Sequence, residues 1–437
     1  MNAGTEGLKE KTVFVLSLGC AKNRVDSERF LGVALSRGYR RVQRPEGAGL
    51  CVINTCGFLE SAVRENLDSI LEAEEMRRRG LIGSLAVVGC LVNRYGEDLK
   101  ELEVDFLGPT ECYREFGAFL DRGELESRIT PGRAPMGDGE AVRYLKVAEG
   151  CSNRCSYCAI PMIRGPLRSS PVRELVAEAE ELLDQGAKEI CLVAQDLTRY
   201  GEDLGVGLMD LLGPLESTVA GRAKLRLLYL HPSRVTRELI ERVASSPVIH
   251  SYLDVPVQHA SPGILASMGR PMGFEDVVGV FKMARQVDPL FAMRTTLMVG
   301  YPGEGAEDFQ MLLRFLDEAQ PDRVGAFVFS PEEGTGAFHL AGRVGIRTAQ
   351  ARLKALMDRA AQVSLARQRL FEGRELEVLL EDIEDGMGVG RSYREAPEVD
   401  GSVLIPDGSG LMVGRTYRVL VDEALEHDLI GSVIEEV

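Results

Sequence analysis

The chain has 437 residues, 45% hydrophobic and 27% charged, an ordinary globular composition with room for two or three domains. No apolar run is long enough to span a bilayer, and Met1 to Lys11 hold no apolar stretch with a cleavage site. Nine cysteines without export therefore point to reduced thiols and a cytoplasmic metal protein. The formal net charge of −16 disfavours phosphate-backbone partners unless a local basic patch overrides it.

Residues 10–128 read as alternating strands and helices. Thr12–Leu18, Leu50–Asn54 and Ser84–Val88 are short apolar strands. Asp26–Arg37 is helical in pattern, with Phe30, Leu31, Ala34 and Leu35 on one face and Gly38 as the stop. Leu59–Arg79 is a longer helix with Leu59, Val63, Leu67, Ile70 and Leu71 on its stripe. Its basic end, Arg77-Arg78-Arg79, suits the helix dipole and reads as a solvated terminus. Continuous apolar strands separated by helices imply a parallel sheet covered on both faces.

Cys20, Cys56 and Cys90 each sit just past one of these strands, beside glycines. In a parallel sheet those carboxyl ends share one edge, where ligands bind. Thiols 36 and 34 residues apart in the chain should therefore meet, and we expect a three-cysteine metal site there. The alternative is three buried thiols at loop starts. Cys51, Cys112 and Cys191 lack that placement and read as packing residues.

Ile129–Glu140 is rich in Pro and Gly and marks a linker over 129–141. Beyond it, within 142–371, comes Cys151-Ser-Asn-Arg-Cys155-Ser-Tyr-Cys158, three thiols in eight residues. A zinc knuckle would need a fourth ligand, but the nearest His is His231 and the nearest other Cys is Cys191. Three thiolates suit a four-iron cluster with one iron left open for a small molecule. A chance group of buried thiols is the alternative.

Six apolar segments then alternate with helical ones: Arg143–Val147, Glu189–Ala194, Lys224–Leu230, Ser251–Val257, Arg294–Val299 and Arg323–Phe329. The helix after the cysteine motif should start with Ser170 as N-cap and Pro171 in its first turn. Such repeats build a partial (β/α)6 barrel with its chemistry at the carboxyl ends of the strands. Those ends carry Gln195-Asp196, His231-Pro232, Gln258-His259, Gly300–Glu304 and Ser330–Thr335. Of these, Gln195, Asp196, Gly300, Pro302 and Glu304, together with Tyr157 of the motif, are the candidate cofactor-binding residues. A His or Gln at a strand end is at least as often a satisfied turn residue. Arg347–Leu370 reads as a long helix with Leu353, Leu356, Ala360 and Val363 inward.

Residues 373–437 hold five short strands separated by turns such as Asp400-Gly401, which predicts a small closed antiparallel β-barrel. The segment has 5 Arg and no Lys against 16 Asp and Glu, a net −11 that accounts for most of the charge of the chain.

Together these motifs resemble the methylthiotransferase family of radical S-adenosylmethionine (SAM) enzymes over nearly the whole chain. Ser17-Leu-Gly-Cys20-Ala-Lys-Asn-Arg-Val-Asp-Ser-Glu28, Asn54-Thr-Cys56-Gly-Phe58 and Gly89-Cys90 look like its amino-terminal domain. Glu149-Gly-Cys151 through Pro161 looks like its radical SAM motif, and the last 65 residues look like a TRAM domain. Tyr252-Leu-Asp-Val-Pro-Val-Gln-His259 and Gly390–Gly401 resemble the RimO branch, which modifies an aspartate of ribosomal protein S-twelve. Ala21, Ser170 and Gly305 depart from the family pattern, and none is a cluster thiol.

The resemblance implies two [4Fe-4S] clusters, SAM as methyl donor and radical source, and transfer of a methylthio group to the aspartate β-carbon. It also implies a sulfur donor, an electron donor and no assigned general base. A tRNA methylthiotransferase shares the cluster motifs but should carry a basic carboxyl-terminal domain, so tight tRNA binding is not expected here. An electron-transfer iron–sulfur protein is the remaining alternative, and SAM cleavage separates it from both enzymes.

Overall fold

The computed structural model describes residues 10–122, 132–137 and 139–437. Residues 123–131 and 138, which include the end of the expected first domain and part of the linker, lie outside the described residues, as do 1–9. The chain divides into two compact units.

The first unit comprises the chain up to Asp138 with Gly150–Ser152 and Ala159–Pro166. Its strands are β1 (Thr12–Ser17), β2 (Arg40–Arg41), β3 (Leu50–Thr55), β4 (Ser84–Gly89) and β5 (Phe106–Gly108). They form one sheet in the order β2-β1-β3-β4-β5, parallel throughout. The strand period of two sends alternate residues to opposite faces. Val13, Val15, Leu50, Val52, Ala86 and Val88 pack with Phe30, Leu31 and Phe116 of helices Ala21–Ser36 and Tyr113–Asp121. Cys51, Ile53, Leu85 and Val87 pack with Ile70, Ala73 and Leu91 of helices Glu60–Arg78 and Cys90–Tyr95.

Three expectations change in this unit. β2 and β5 have two and three residues, too few to show a period. The first helix begins at Ala21 and not at Asp26, directly after Cys20. Its first turns bury Asn23, Asp26, Ser27 and Glu28 against polar partners, a pattern that hydrophobic periodicity does not detect. Leu35 and Leu71, expected on buried stripes, are exposed.

The second unit holds the central and carboxyl-terminal segments. β6 (Val142–Lys146) leads to a short antiparallel pair, β7 (Ala148–Glu149) with β8 (Arg168–Ser169). Then come β9 (Glu189–Val193), β10 (Lys224–Leu227), β11 (Ile249–Asp254), β12 (Ala292–Val299) and β13 (Arg323–Val328). The six long strands form an all-parallel sheet in sequential order, β6-β9-β10-β11-β12-β13, with helices between them. Their outward residues and the inner helix faces share one apolar core. The helix expected to start at Ser170 begins at Val172, one helix beyond Ile160–Arg164, with Pro171 at the cap and no side-chain cap. Ser170 is not the cap: its N–H donates to Val147 O and its carbonyl accepts from the Tyr200 hydroxyl.

The last five strands are β14 (Glu375–Glu384), β15 (Met387–Arg391), β16 (Val403–Ile405), β17 (Thr416–Ala424) and β18 (Leu429–Glu436), closed in the order β14-β15-β16-β18-β17. The expected antiparallel barrel is corrected in one pairing: β16 and β18 run parallel. Val378, Leu380, Val403, Val419 and Leu429 fill it.

The connection after β15 leaves this small barrel and enters the interior of the six-stranded sheet. Arg391 pairs with Glu189 at 2.9 Å, and Arg226 pairs with the same carboxylate at 2.5 Å. Arg226 also donates to the Tyr393 carbonyl at 2.7 Å. Arg394 faces Asp322, Glu395 pairs with Arg323 at 3.1 Å, and Asp400 accepts from Arg294 and from the Tyr252 hydroxyl. All are buried or nearly so.

Candidate functional site

The first site grows from the level ends of β1, β3 and β4. Ser17 pairs with Asn54 and Asn54 with Val88, so the residues that follow leave the sheet at one height. Polar side chains cross-link the three exits. Asn23 donates through Nδ2 to the Leu18 and Thr55 carbonyls, both at 2.8 Å. Asn54 donates to the Asn23 carbonyl and to Ser27 Oγ. Asn66 accepts from the Cys56 N–H at 2.7 Å, and Arg94 donates to the Gly57 carbonyl at 2.9 Å. Close approach explains the glycines. A Cβ on Gly19 would lie 2.8 Å from Cys56 Cβ, and one on Gly57 would lie 2.7 Å from the Cys90 carbonyl oxygen.

Cys20, Cys56 and Cys90 are brought together, and Cys20 adds to the electrostatic load on both of the others. Burial pushes Cys90 up to about 12 against the pull of Arg164, whose Nε donates to Cys90 Sγ at 3.2 Å. Burial also raises Cys56. For Cys20, desolvation is outweighed by Lys22, Arg164 and the backbone N–H groups of Asn23 and Lys22, so its thiol lies below the ordinary range. Soft sulfur donors with cations close by fit an iron–sulfur cluster better than an oxygen-seeking ion.

The second motif occupies the loop between β7 and helix Ile160–Arg164. Gly150 takes φ +71°, and a Cβ there would fall 2.1 Å from the Pro166 carbonyl oxygen. Cys151 N–H donates to the Gly165 carbonyl, fixing the start of the loop. Farther on, the Cys158 N–H donates to the Cys155 carbonyl, while the Ser156 backbone bonds to Met268 and Ala337. Tyr157 lies against an apolar group that includes Met268, Met298 and Tyr301, and its hydroxyl accepts from Arg270 at 3.0 Å. Burial raises that phenol well above its usual value. A cavity of about 170 Å³ beside Cys155 is lined by Arg154, Arg234, Arg270 and His231 among others.

The other strand-end residues divide by how fully their side chains are engaged. Asp196 accepts from Asn153, from Arg234 and from the backbone and hydroxyl of Thr198. Glu304 accepts from the Gly300 N–H at 2.7 Å and from Arg352 at 2.5 Å, and lies 3.6 Å from His259 Nε2. Both carboxylates hold turns in shape. Gly300, at φ +77°, has no room for a Cβ because Ala349 Cβ would be 2.8 Å away. Pro302 is buried in the same turn. By contrast, Oε1 of Gln195 and Oε1 of Gln258 are buried acceptors with no hydrogen-bond partner among the described residues. Such orphans fit a ligand carrying N–H donors, as the amino-acid and adenine ends of SAM do. His231 turns its Nδ1 to Ser233, and burial with Arg270, Arg234 and Arg199 lowers it to about 3.

Sequence reasoning missed Asn23, Arg164 and Arg270. Asn23 and Arg164 stand near cysteines in the chain, but nothing local announces that Arg164 reaches Cys90. Among the described residues no helix is long and apolar enough to cross a membrane.

Three family profiles match: Uncharacterized protein family UPF0004 over residues 12–107, the Radical SAM superfamily over 145–316 and the TRAM domain over 373–434. The chain is 40% identical over 440 residues to ribosomal protein uS12 methylthiotransferase RimO of Myxococcus xanthus, covering 97% of this chain and 92% of that one. It is 41% identical over 442 residues to the protein of the same name from Syntrophobacter fumaroxidans, covering 97% and 99%. Among solved structures, the radical SAM methyltransferase TsrM of Kitasatospora setae aligns with a TM-score of 0.54 at 14% identity, over 75% of this chain and 74% of that one. The cobalamin-dependent radical enzyme OxsB aligns with a TM-score of 0.52 at 12% identity, over 82% and 58%. Those two likenesses concern the fold.

Proposed function

The chain belongs to the RimO family of ribosomal protein uS12 methylthiotransferases, and from that premise we propose which of its residues do the work. It is a radical SAM methylthiotransferase that uses SAM and two [4Fe-4S] clusters and acts on ribosomal protein uS12. In our reading Cys151, Cys155 and Cys158 hold the cluster that takes SAM, and Cys20, Cys56 and Cys90 hold the second. Bound there, the cofactors supply a radical able to open an unactivated carbon–hydrogen bond and a sulfur ready for methylation.

The chain's own residues position and enclose. Arg270 fixes Tyr157 beside the motif thiols. Gln195 and Gln258 offer their unpaired oxygens to the donors of SAM. Asp196 and Glu304 act through the turns they hold, with Gly300 and Pro302 giving the backbone its close approach. We place the transfer on the β-carbon of an aspartate of uS12, with no side-chain general base. The domain division we propose is 10–128, 142–371 and 373–437. The reaction needs an electron donor and a sulfur donor, and the cytoplasm is where a ribosomal protein would meet the enzyme.

The observation that supports this reading is that Cys20, Cys56 and Cys90 leave neighbouring strand ends within the field of Arg164, whose Nε donates to Cys90 Sγ, an arrangement that suits a soft metal. Its substrate side rests on charge: exposed Asp382, Glu384, Asp385 and Asp407 share one end of the small barrel, joined there by the Gly408 N–H to the Gly386 carbonyl. Such a surface attracts a basic ribosomal protein and repels tRNA. The test is anaerobic reconstitution with iron, sulfide and SAM, offering uS12 and tRNA in parallel, with mass analysis of both. A methylthio adduct on a uS12 aspartate is expected. An adduct on tRNA alone would overturn the assignment.

A further inference from the structure

Arg164 stands six residues beyond Cys158 in the chain, at the end of helix Ile160–Arg164, and belongs to the first unit. Its helix is held there by Asn93, which donates to the Ile163 carbonyl at 2.8 Å, and by Ala159 and Ile163 packed on Cys90 and Phe58. The guanidinium is about 1% exposed. It donates through Nη2 to Asn23 Oδ1 and, at 3.3 Å, to Asp26 Oδ2, and through Nε to Cys90 Sγ at 3.2 Å. Asp26 in turn accepts from the Tyr113 hydroxyl at 3.0 Å.

A buried ion pair with Asp26 is the plain structural account, and it explains Nη2. It does not explain Nε. A neutral thiol is a weak acceptor, so aiming a buried charged donor at one gains little. The same donor aimed at a thiolate makes a charge-assisted bond. The arrangement therefore suits a sulfur that is anionic in the working protein, as a metal-bound cysteine is.

We propose that Arg164 is a positioning residue that donates its Nε–H to the metal-bound sulfur of Cys90 and raises the reduction potential of the amino-terminal cluster. A hydrogen bond to a ligating sulfur draws electron density from the cluster, and the nearby positive charge stabilises the added electron. Asp26 opposes that charge, so the pair sets the potential jointly. This rests on the reading of Cys20, Cys56 and Cys90 as a cluster site.

The test uses the full-length chain with Cys151, Cys155 and Cys158 changed to Ala, so that the amino-terminal cluster is observed alone. The parent, Arg164→Gln, Arg164→Lys and Asp26→Asn are each reconstituted anaerobically, assayed for iron and titrated with dithionite under electron paramagnetic resonance. Relative to the parent, we expect Arg164→Gln to shift the midpoint to more negative potential and Asp26→Asn to shift it to more positive. Arg164→Lys, which keeps the charge without the fork, should fall between Arg164→Gln and the parent. A parent that binds no iron overturns the cluster reading itself. A parent that binds iron, with Asp26→Asn at the parent's midpoint and Arg164→Gln either there or without iron, overturns the role of Arg164 and leaves the site standing.

Discussion

Two glycines decide whether the cysteine loops close. Gly57 has the Cys90 carbonyl and Leu91 Cα within about 3 Å of where a Cβ would stand, and all the crowding atoms are backbone. Gly150 combines φ +71° with the Pro166 and Gly165 carbonyls inside that distance. Gly57→Ala should therefore lose the iron of the amino-terminal cluster and stop sulfur transfer while SAM is still cleaved. Gly150→Ala should do the reverse, keeping one cluster and losing cleavage. Iron assay and product analysis check both, and full iron content in either variant would contradict the geometry. The cysteines themselves were legible in the sequence because a thiol after each strand is a positional signal. Arg164 and Asn23 were not, since a long or polar side chain announces neither its direction nor its partner. Asp196 and Glu304 were legible as strand-end carboxylates, but their saturation by Thr198, Arg234, Gly300 and Arg352 depends on contacts distant in sequence.

Strands and helices carry apolar faces of their own, and the cysteine loops do not. The sheet residues Val13, Val52 and Val88 are fully buried against one another and against Phe30, Leu31 and Phe116. Removing iron should leave hydrogen-exchange protection in β1, β3 and β4 and abolish it over 150–158; protection lost across the sheet would instead mean that metal nucleates the fold. The hairpin joining β14 to β15 carries the second test at this scale. Asp382, Glu384 and Asp385 are exposed there, with half-exposed Met412 and Val413 on the adjoining turn. Changing the three acids to Lys should weaken uS12 binding, erase much of its salt dependence and leave SAM cleavage unchanged; unaltered uS12 affinity would remove this face from the docking model. The six barrel strands were readable as apolar runs because parallel strands are buried on both faces. β2 and β5 were too short to read, and the parallel pairing of β16 with β18 depends on where the 391–402 connection travels.

At the scale of the molecule, the ionic interior is the feature least visible in the sequence. Arg391, Arg394, Glu395 and Asp400 appear there as scattered surface-type charges, yet they meet Glu189, Asp322, Arg323 and Arg294 in a buried network. Arg285, Arg367 and Arg394 hold Asp322 ionised against its burial, far below the usual carboxylate range. Removing one partner strands a buried charge, so Asp322→Asn should cost about 3–5 kcal/mol. Urea unfolding checks this, and a loss below about 1 kcal/mol would show the network to be loose. Acid should act through two histidines. Burial and Arg226 hold His250 at about 3 despite Glu189, and His231 is also held at about 3. The unfolded chain takes up these protons near 6.5, so stability falls as pH drops from there toward 3, by roughly 1 kcal/mol per pH unit for each. His250→Gln should flatten that slope between pH 7 and pH 5, whereas an unchanged slope would assign it to other groups.

The reach of the 391–400 connection into the six-stranded sheet bears on how such chains can be recombined. A graft that exchanged the last 65 residues for those of a relative would carry away four charges from the interior of the catalytic barrel and import whatever the donor placed there. Hybrids joined near residue 372 should therefore succeed only when Glu189, Arg226, Arg294, Asp322 and Arg323 travel with the graft. Exchange of this appendix is then bound to exchange of the barrel floor, and the two should change together between lineages.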